Sequence, residues 1–122
     1  TVELLLGVDG IDVNLQGEYK YSALISASRG GHEGTVKLLL GVDGIDVNLQ
    51  GEYKNTALIL ASRHGRIRIV LLLLGVDSID VNLRGWDTNT ALIWASREGH
   101  EDIVKMLLTR DDIDSTLRPK IR

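Results

Sequence analysis

Residues 4–20 read LLLGVDGIDVNLQGEYK, and residues 38–54 repeat that stretch without a change. An edited third copy, LLLGVDSIDVNLRGWDT, occupies residues 72–88, so successive copies start 34 residues apart. A fixed period of about 20–50 residues is typical of solenoid proteins, in which each unit buries its apolar face against its neighbours. The sequence therefore predicts a repeat protein.

Each unit carries the signals of two short helices. In the middle unit, Thr56 is an N-cap for a helix that starts at Ala57, and Gly65 separates that helix from a second one over residues 66–74. We call the segment that links the second helix of one unit to the next unit a connector. In each connector, the run IDVN (residues 11–14 and its copies) alternates apolar and polar side chains, which favours a short β-like segment. Helices of about seven to nine residues are not stable alone in water, so stacking must stabilise them.

These motifs resemble the ankyrin repeat, which has a β-turn and two helices in about 33 residues and opens its first helix with Thr-Pro-Leu-His. The matching segments are SALI, TALI and TALI at residues 22–25, 56–59 and 90–93. Gly-His pairs at 31–32 and 99–100, and Asp-Val-Asn at 46–48 and 80–82, extend the match. The resemblance implies an all-α solenoid of stacked helix-turn-helix units with β-hairpin-like turns, and a non-catalytic role in protein binding.

Three positions depart from the family's pattern. The proline of the first turn is alanine in every unit, and the turn glycine is Lys20, Lys54 or Thr88. The family's histidine is isoleucine throughout, so apolar packing must replace its hydrogen bonds. The near-identity of the first two copies indicates recent duplication or deliberate design.

We expect a single repeat domain over residues 1–122. Its parts are a half repeat at 1–16, repeats at about 17–50, 51–84 and 85–118, and a tail at 119–122. The chain starts inside a unit and without methionine, so we expect a piece of a longer protein or a processed product.

The composition argues against several classes of function. A net charge of −3 is small and of the wrong sign for binding nucleic acid through its phosphates. The absence of cysteine excludes disulfides, zinc thiolate sites and cysteine nucleophiles, and it fits a reducing cytoplasmic compartment or a designed chain. The longest apolar run, residues 69–74, is far shorter than the roughly 20 residues that span a bilayer. We expect no nucleic-acid or membrane partner.

No pattern predicts a catalytic residue, a cofactor or a metal site. HEGTV at residues 32–36 and HEDIV at 100–104 begin like the zinc-protease motif H-E-x-x-H, but valine replaces the second histidine in both. We therefore expect these histidines to close the loop between two helices through a backbone hydrogen bond. Asp9, Asp12 and Asn14 lack the spacing of a calcium-binding EF-hand loop.

The aromatic residues are the strongest indication of a binding surface. The chain has no Phe, three Tyr and two Trp, and the helical core positions are aliphatic, so we expect an interior without aromatic side chains. Interface hot spots favour Trp and Tyr, and the resemblance places the hairpin turns and the first helices at a recognition groove. The alternative is that the rings brace adjacent turns. The candidate partner-binding residues are Tyr19, Tyr21, Tyr53, Asn55, Trp86, Asp87, Asn89 and Trp94.

Arginine recurs at the end of each first helix, as Arg29, Arg63 and Arg97. Interaction with the helix dipole explains this placement. The alternative is a basic row for an acidic partner, so Arg63 and Arg97 are further partner-binding candidates.

The middle unit departs from its sisters on the second helix. Glu33 and Lys37 of the unit before it are replaced by Ile67 and Leu71, which lie four residues apart on the predicted outer face. We expect an exposed aliphatic patch and a monomer or weak homo-oligomer. The rival role to partner binding is therefore a spacer or self-associating segment of a larger repeat protein.

Overall fold

Six short helices, arranged in three pairs, make up the computed structural model, which describes residues 14–16 and 22–114. The first helices of the pairs are α1 (Ala23–Gly30), α3 (Ala57–Arg63) and α5 (Ala91–Arg97), and the second helices are α2 (Glu33–Leu40), α4 (Ile67–Leu74) and α6 (Glu101–Leu108). These residues contain no strand, and the predicted all-α fold is confirmed. No helix within them has the length and apolar character needed to cross a membrane.

The helices stack in two rows. The first helices form an inner row, α1 on α3 on α5, and each second helix packs against the first helix of its own pair to form an outer row. At the centre of the inner row, residues 57–62 of α3 are all buried. Because a helix of this length has little stability alone, packing against neighbours on both sides stabilises it.

Side-chain caps start the inner helices but not the outer ones. The Oγ1 of Thr56 accepts a hydrogen bond from the N–H of Ile59 at 3.1 Å, and Ser22 and Thr90 cap their helices in the same way. The cap predicted at Thr56 is confirmed. In contrast, no residue at the N-cap position of an outer helix makes a side-chain cap bond. The outer helices therefore start without the local stabilisation that a side-chain cap gives the inner ones.

Aliphatic side chains from both rows form the core. Leu58 is 1% exposed, and Leu92 at the corresponding position of α5 is also buried. Ile59 takes the place of the family's histidine and is buried as well, so the predicted replacement of hydrogen bonds by apolar packing is confirmed. The outer row contributes Val36, Leu39, Ile69, Val70, Leu73, Ile103 and Leu107.

The connectors are turns, and the predicted β-like segment is wrong for the described copies at residues 45–48 and 79–82. The N–H of Ile79 donates to a carbonyl three residues earlier at 3.1 Å. Ile79 and Val81 are buried whereas Asp80 is exposed. The alternation in the sequence therefore marks which side chains enter the core, while the backbone itself turns.

An asparagine ladder joins successive connectors. Asn48 donates its Nδ2 to the carbonyl of Ser78 at 2.8 Å, and its Oδ1 accepts from the N–H of Asp80 at 2.8 Å. The same two bonds link Asn14 to Gly44 and Asp46, and Asn82 to Asp112 and Asp114. Each asparagine thus fixes the position of the next connector by satisfying both a carbonyl and an N–H group.

Candidate functional site

Two tight turns, residues 51–55 and 85–89, precede α3 and α5. In the first, the N–H of Lys54 donates to the carbonyl of Gly51 at 3.0 Å, and the N–H of Gly51 donates to the carbonyl of Asn55 at 2.9 Å. The second turn makes the equivalent bonds. We call these two segments the hairpin tips.

The residues at the hairpin tips have left-handed backbone conformations. Tyr53 and Lys54 have φ values of 58° and 64°, and Asp87 and Thr88 have values of 58° and 63°. Two successive left-handed residues are the geometry of a type I′ turn, which favours Asn-Gly. A β-branched residue at positive φ is a genuine outlier, so Thr88 is the most strained of the four. Lys54 and Thr88, which replace the turn glycine of the family, therefore stand at positions where the backbone adopts a left-handed conformation.

Tyr53 and Trp86 form an exposed aromatic pair between the two hairpin tips. Tyr53 is 62% exposed and Trp86 is 50% exposed, yet their ring centroids lie 6.4 Å apart in an edge-on arrangement. Such a contact leaves most of both rings in solvent. The other two candidate aromatics of this group, Tyr19 and Tyr21, lie outside the described residues.

The two candidate asparagines are buried rather than exposed. Asn55 joins the hairpin tips, since its Oδ1 accepts from the N–H of Trp86 at 3.2 Å. A Cβ at Gly85 would overlap that same Oδ1, so the second tip approaches Asn55 only because residue 85 is glycine. Asn89 is fully buried, and its amide has no hydrogen-bond partner within the described part of the chain. Asn55 therefore positions the aromatic pair.

Trp94 lies in the core, and the prediction of an interior without aromatic side chains is wrong. It is 7% exposed and takes the position that Leu60 fills in α3. Its Nε1–H is buried without an acceptor among the described residues. The guanidinium of Arg63 covers the ring, with Cζ 4.5 Å from the ring centroid, and that of Arg97 lies at 6.0 Å. The ring of Trp94 therefore lies close to two positively charged guanidinium groups.

The exposed and buried aromatics meet at one pocket. Tyr53, Asn55, Arg63, Trp86 and Trp94 line a cavity of about 260 Å³. All five were among the candidate partner-binding residues, whereas Asp87 and Arg97 do not line it. This volume is close to the lower end of the roughly 300–1,000 Å³ range of small-molecule sites, and it also suits a single protruding side chain.

A comparison of the sequence with models of protein families gives the same result as the stacked helix pairs and their turns. The family model for ankyrin repeats matches in 3 copies, over residues 1–85 and 44–118. The chain belongs to the ankyrin repeat family. A comparison with curated proteins gives no match. Ankyrin repeats are generally protein-interaction modules and are typically not enzymes.

Side chains at the start of two outer helices bond to the preceding helix pair of this ankyrin domain. The Nε2 of His100 lies 3.0 Å from the carbonyl oxygen of Arg63 at the end of α3, so its backbone hydrogen bond joins two successive pairs and the prediction that it closes the loop within its own pair is wrong. Arg66, at the corresponding position in the preceding pair, donates its Nε to the carbonyl of Arg29 at 3.2 Å. Among the described residues, no group of three or more His, Cys, Asp or Glu side chains could hold a metal ion.

Burial and nearby arginines both act on His64 at the end of α3. The pKa of His64, which follows α3, is lowered from its usual value, first by burial. The next contributions are the charges of Arg63, Arg29 and Arg66, while Glu98 raises the pKa. The positive charges thus outnumber the negative charge that acts on this imidazole.

On the outer row, the middle pair presents the predicted aliphatic patch. Ile67 is 44% exposed and Leu71 is 63% exposed, which confirms their position on the outer face. Arg68 is also exposed and lies 4.0 Å from a carboxylate oxygen of Glu33 on the neighbouring helix. The pocket and this patch therefore lie on opposite rows of helices.

Proposed function

We propose that this ankyrin domain is a non-catalytic module that binds a protein partner through the hairpin tips and the inner helix row. The observation that carries the proposal is the exposed pair Tyr53 and Trp86 beside a pocket that also contains Arg63. Tyr, Trp and Arg are the residue types most enriched among interface hot spots. Burying two half-exposed rings would release bound water from a large apolar area and stabilise a complex.

The alternative, that the two rings only brace the turns, explains less of the arrangement. An edge-on ring contact contributes about 0.5–1.5 kcal/mol. That contact leaves Tyr53 62% exposed and Trp86 50% exposed. A bracing role would be served as well by smaller or more buried side chains. The exposed faces of both rings are available for a partner.

Selection from a random peptide library displayed on phage, with immobilised wild-type domain as target, tests the proposal. We expect the selected peptides to lose about tenfold or more in affinity for a Tyr53→Ala, Trp86→Ala double variant, because hot-spot truncations cost at least about 1–2 kcal/mol each. Leu71→Ala is the matched control, since it removes an exposed apolar side chain from the outer row. Peptides that bind the double variant as tightly as the wild type would exclude the hairpin tips as the site.

Trp94 is deliberately left intact in that experiment. Because Trp94 is buried, its replacement by alanine leaves a cavity and costs about 3–5 kcal/mol of stability. A loss of binding in a Trp94→Ala variant would then follow from unfolding as readily as from a missing contact. Circular dichroism of the double variant should match that of the wild type, because Tyr53 and Trp86 are exposed.

Self-association through the outer row is a second candidate role, with the domain acting as a spacer in a larger repeat protein. The exposure of Ile67 and Leu71 supports it. Burying two such side chains contributes roughly 3–6 kcal/mol before the entropy of association is subtracted, so weak dimers are expected. Sedimentation of an Ile67→Glu, Leu71→Lys variant, which restores the residue types of the sister units, tests this role. Identical monomeric profiles for wild type and variant at high concentration would exclude it.

A further inference from the structure

We infer that the pocket between the hairpin tips and the inner row binds an acidic side chain of an extended peptide segment, whose carboxylate contacts Arg63 and whose neighbouring apolar side chain covers Tyr53 and Trp86. The inference rests on the proposed function and specifies the chemistry of the partner. Three features of the described residues support it: the unpaired charge on Arg63, the second cation at the same indole, and the restriction of this arrangement to one junction.

The charge of Arg63 has no counter-ion within the described part of the chain. The ion pairs formed there involve Lys37, Arg68 and Arg110. The guanidinium of Arg63 stacks on the ring of Trp94 instead. A guanidinium donates its hydrogen bonds in its own plane, so a group stacked through its face keeps those donors available for a carboxylate.

The second cation strengthens the preference for an anion. Arg97 lies 6.0 Å from the centroid of the ring that Arg63 covers, so two like charges share one aromatic group. Both positive charges act on the surroundings of this ring, and they favour a carboxylate that binds nearby. Because the whole chain has a net charge of −3, it repels a polyanion such as nucleic acid more strongly than a single acidic side chain.

Within residues 14–16 and 22–114, the arrangement occurs at one junction. The positions that correspond to Trp94 hold Leu60 in α3 and Ser26 in α1. Among the described residues, only the junction of α3 and α5 thus combines an arginine stacked on an indole with a pair of exposed rings. A single anchoring contact follows from this geometry, in contrast to a repeated row of equal contacts.

The test uses the tightest peptide from the library selection and a synthetic twin in which every Asp and Glu is replaced by Asn and Gln. With the wild-type domain, we expect the acidic peptide to bind about tenfold or more tightly than its twin, which is the usual strength of a hydrogen bond to a charged group. In an Arg63→Gln variant, the two peptides should bind within about twofold of each other. This loss of discrimination is a readout that a purely structural role for Arg63 would not produce.

Two further variants serve as controls. Arg68→Gln removes an exposed positive charge from the outer row and should leave the discrimination of the wild type unchanged. Arg63→Lys keeps the charge without the planar fork and should retain only part of the discrimination.

The outcomes separate this inference from the proposed function. Peptides that require Tyr53 and Trp86 but bind equally well as acidic and amide twins would overturn the inference and leave the proposed function standing. Peptides that bind independently of the hairpin tips would overturn both.

Discussion

The inner and outer rows are built from helices of nearly equal length but are stabilised differently. In the inner row, α3 is capped by Thr56 and buries every residue from 57 to 62. In the outer row, α4 has no side-chain cap and leaves Ile67 and Leu71 in solvent. The inner helices are therefore specified both by local sequence and by packing on two sides, whereas the outer helices are held through one face. Sequence change is consequently least costly on the outer face and at the exposed tips.

The largest expected effect contrasts two leucines, one in each row. Leu58→Ala should lower the free energy of unfolding by about 2–5 kcal/mol, because it leaves a cavity where the leucine is 1% exposed. Leu71→Ala, at a leucine that is 63% exposed, should change it by less than about 0.5 kcal/mol. Urea denaturation followed by circular dichroism measures both. Equal losses in the two variants would contradict the division of stability between the rows.

The caps provide the second contrast. Thr56→Ala should lower the free energy of unfolding by about 1 kcal/mol, since it removes the acceptor for the N–H of Ile59 at the start of α3. His32→Ala is the outer-row counterpart, and it should cost less because His32 makes no side-chain cap bond at the start of α2. The same denaturation experiment compares the two variants. A larger loss of stability in His32→Ala than in Thr56→Ala would show that His32 stabilises the start of α2 in another way.

The hairpin tips are the strained part of the inner side, so one substitution there should be stabilising. A left-handed conformation costs a non-glycine residue roughly 1–2 kcal/mol, and glycine costs about 0.5–1 kcal/mol in the unfolded state. Thr88→Gly should therefore raise the free energy of unfolding by roughly 0.5–1 kcal/mol. Glu52→Gly is the control, because Glu52 does not have a positive φ and should only lose stability. A Thr88→Gly variant no more stable than wild type would mean that the cross-turn bonds already relieve the strain.

The smallest expected effect is the dependence of stability on pH at the end of α3. The pKa of His64 is lower in the folded protein than its usual value of 6.5, so protonation favours the unfolded chain. The contribution of the neutral imidazole is present above about pH 6.5 and is lost as the pH falls below that value. His64→Gln should therefore show a smaller drop in melting temperature between neutral and mildly acidic pH than the wild type. An identical drop in both proteins would argue against a lowered pKa of His64 in the folded protein.

The sequence predicted those features of the fold that depend on neighbouring residues or on the period. Thr56 and the aliphatic residues after it define a capped helix within one short window, and the period of 34 places the next helix beside it. The exposure of Ile67 and Leu71 was predicted because the sister units carry charged residues at those positions. Comparison of aligned units therefore supplied information that a single unit would not.

The missed features depend on contacts between units. Trp94 was expected in a groove, but it fills the volume that Leu60 occupies one unit earlier, and an alignment of those two positions would have indicated burial. The burial of Asn55 follows from its bond to Trp86, which lies 31 residues away and leaves no local signal. The pocket itself combines residues of two tips and two helices. Its side-chain composition was predictable, whereas its geometry required the packed structure.

The asparagine ladder has a consequence for how such a chain can change in length. The side-chain amides of Asn14, Asn48 and Asn82 each bond to the connector that follows, and these bonds have the same lengths. Insertion or removal of one 34-residue unit would therefore recreate the same bonds at the new junction instead of leaving a mismatched edge. We expect unequal recombination between the identical stretches at 4–20 and 38–54 to yield shorter or longer chains that still fold. The asparagine bonds thus fix the spacing between two successive units, while the number of units can change during evolution.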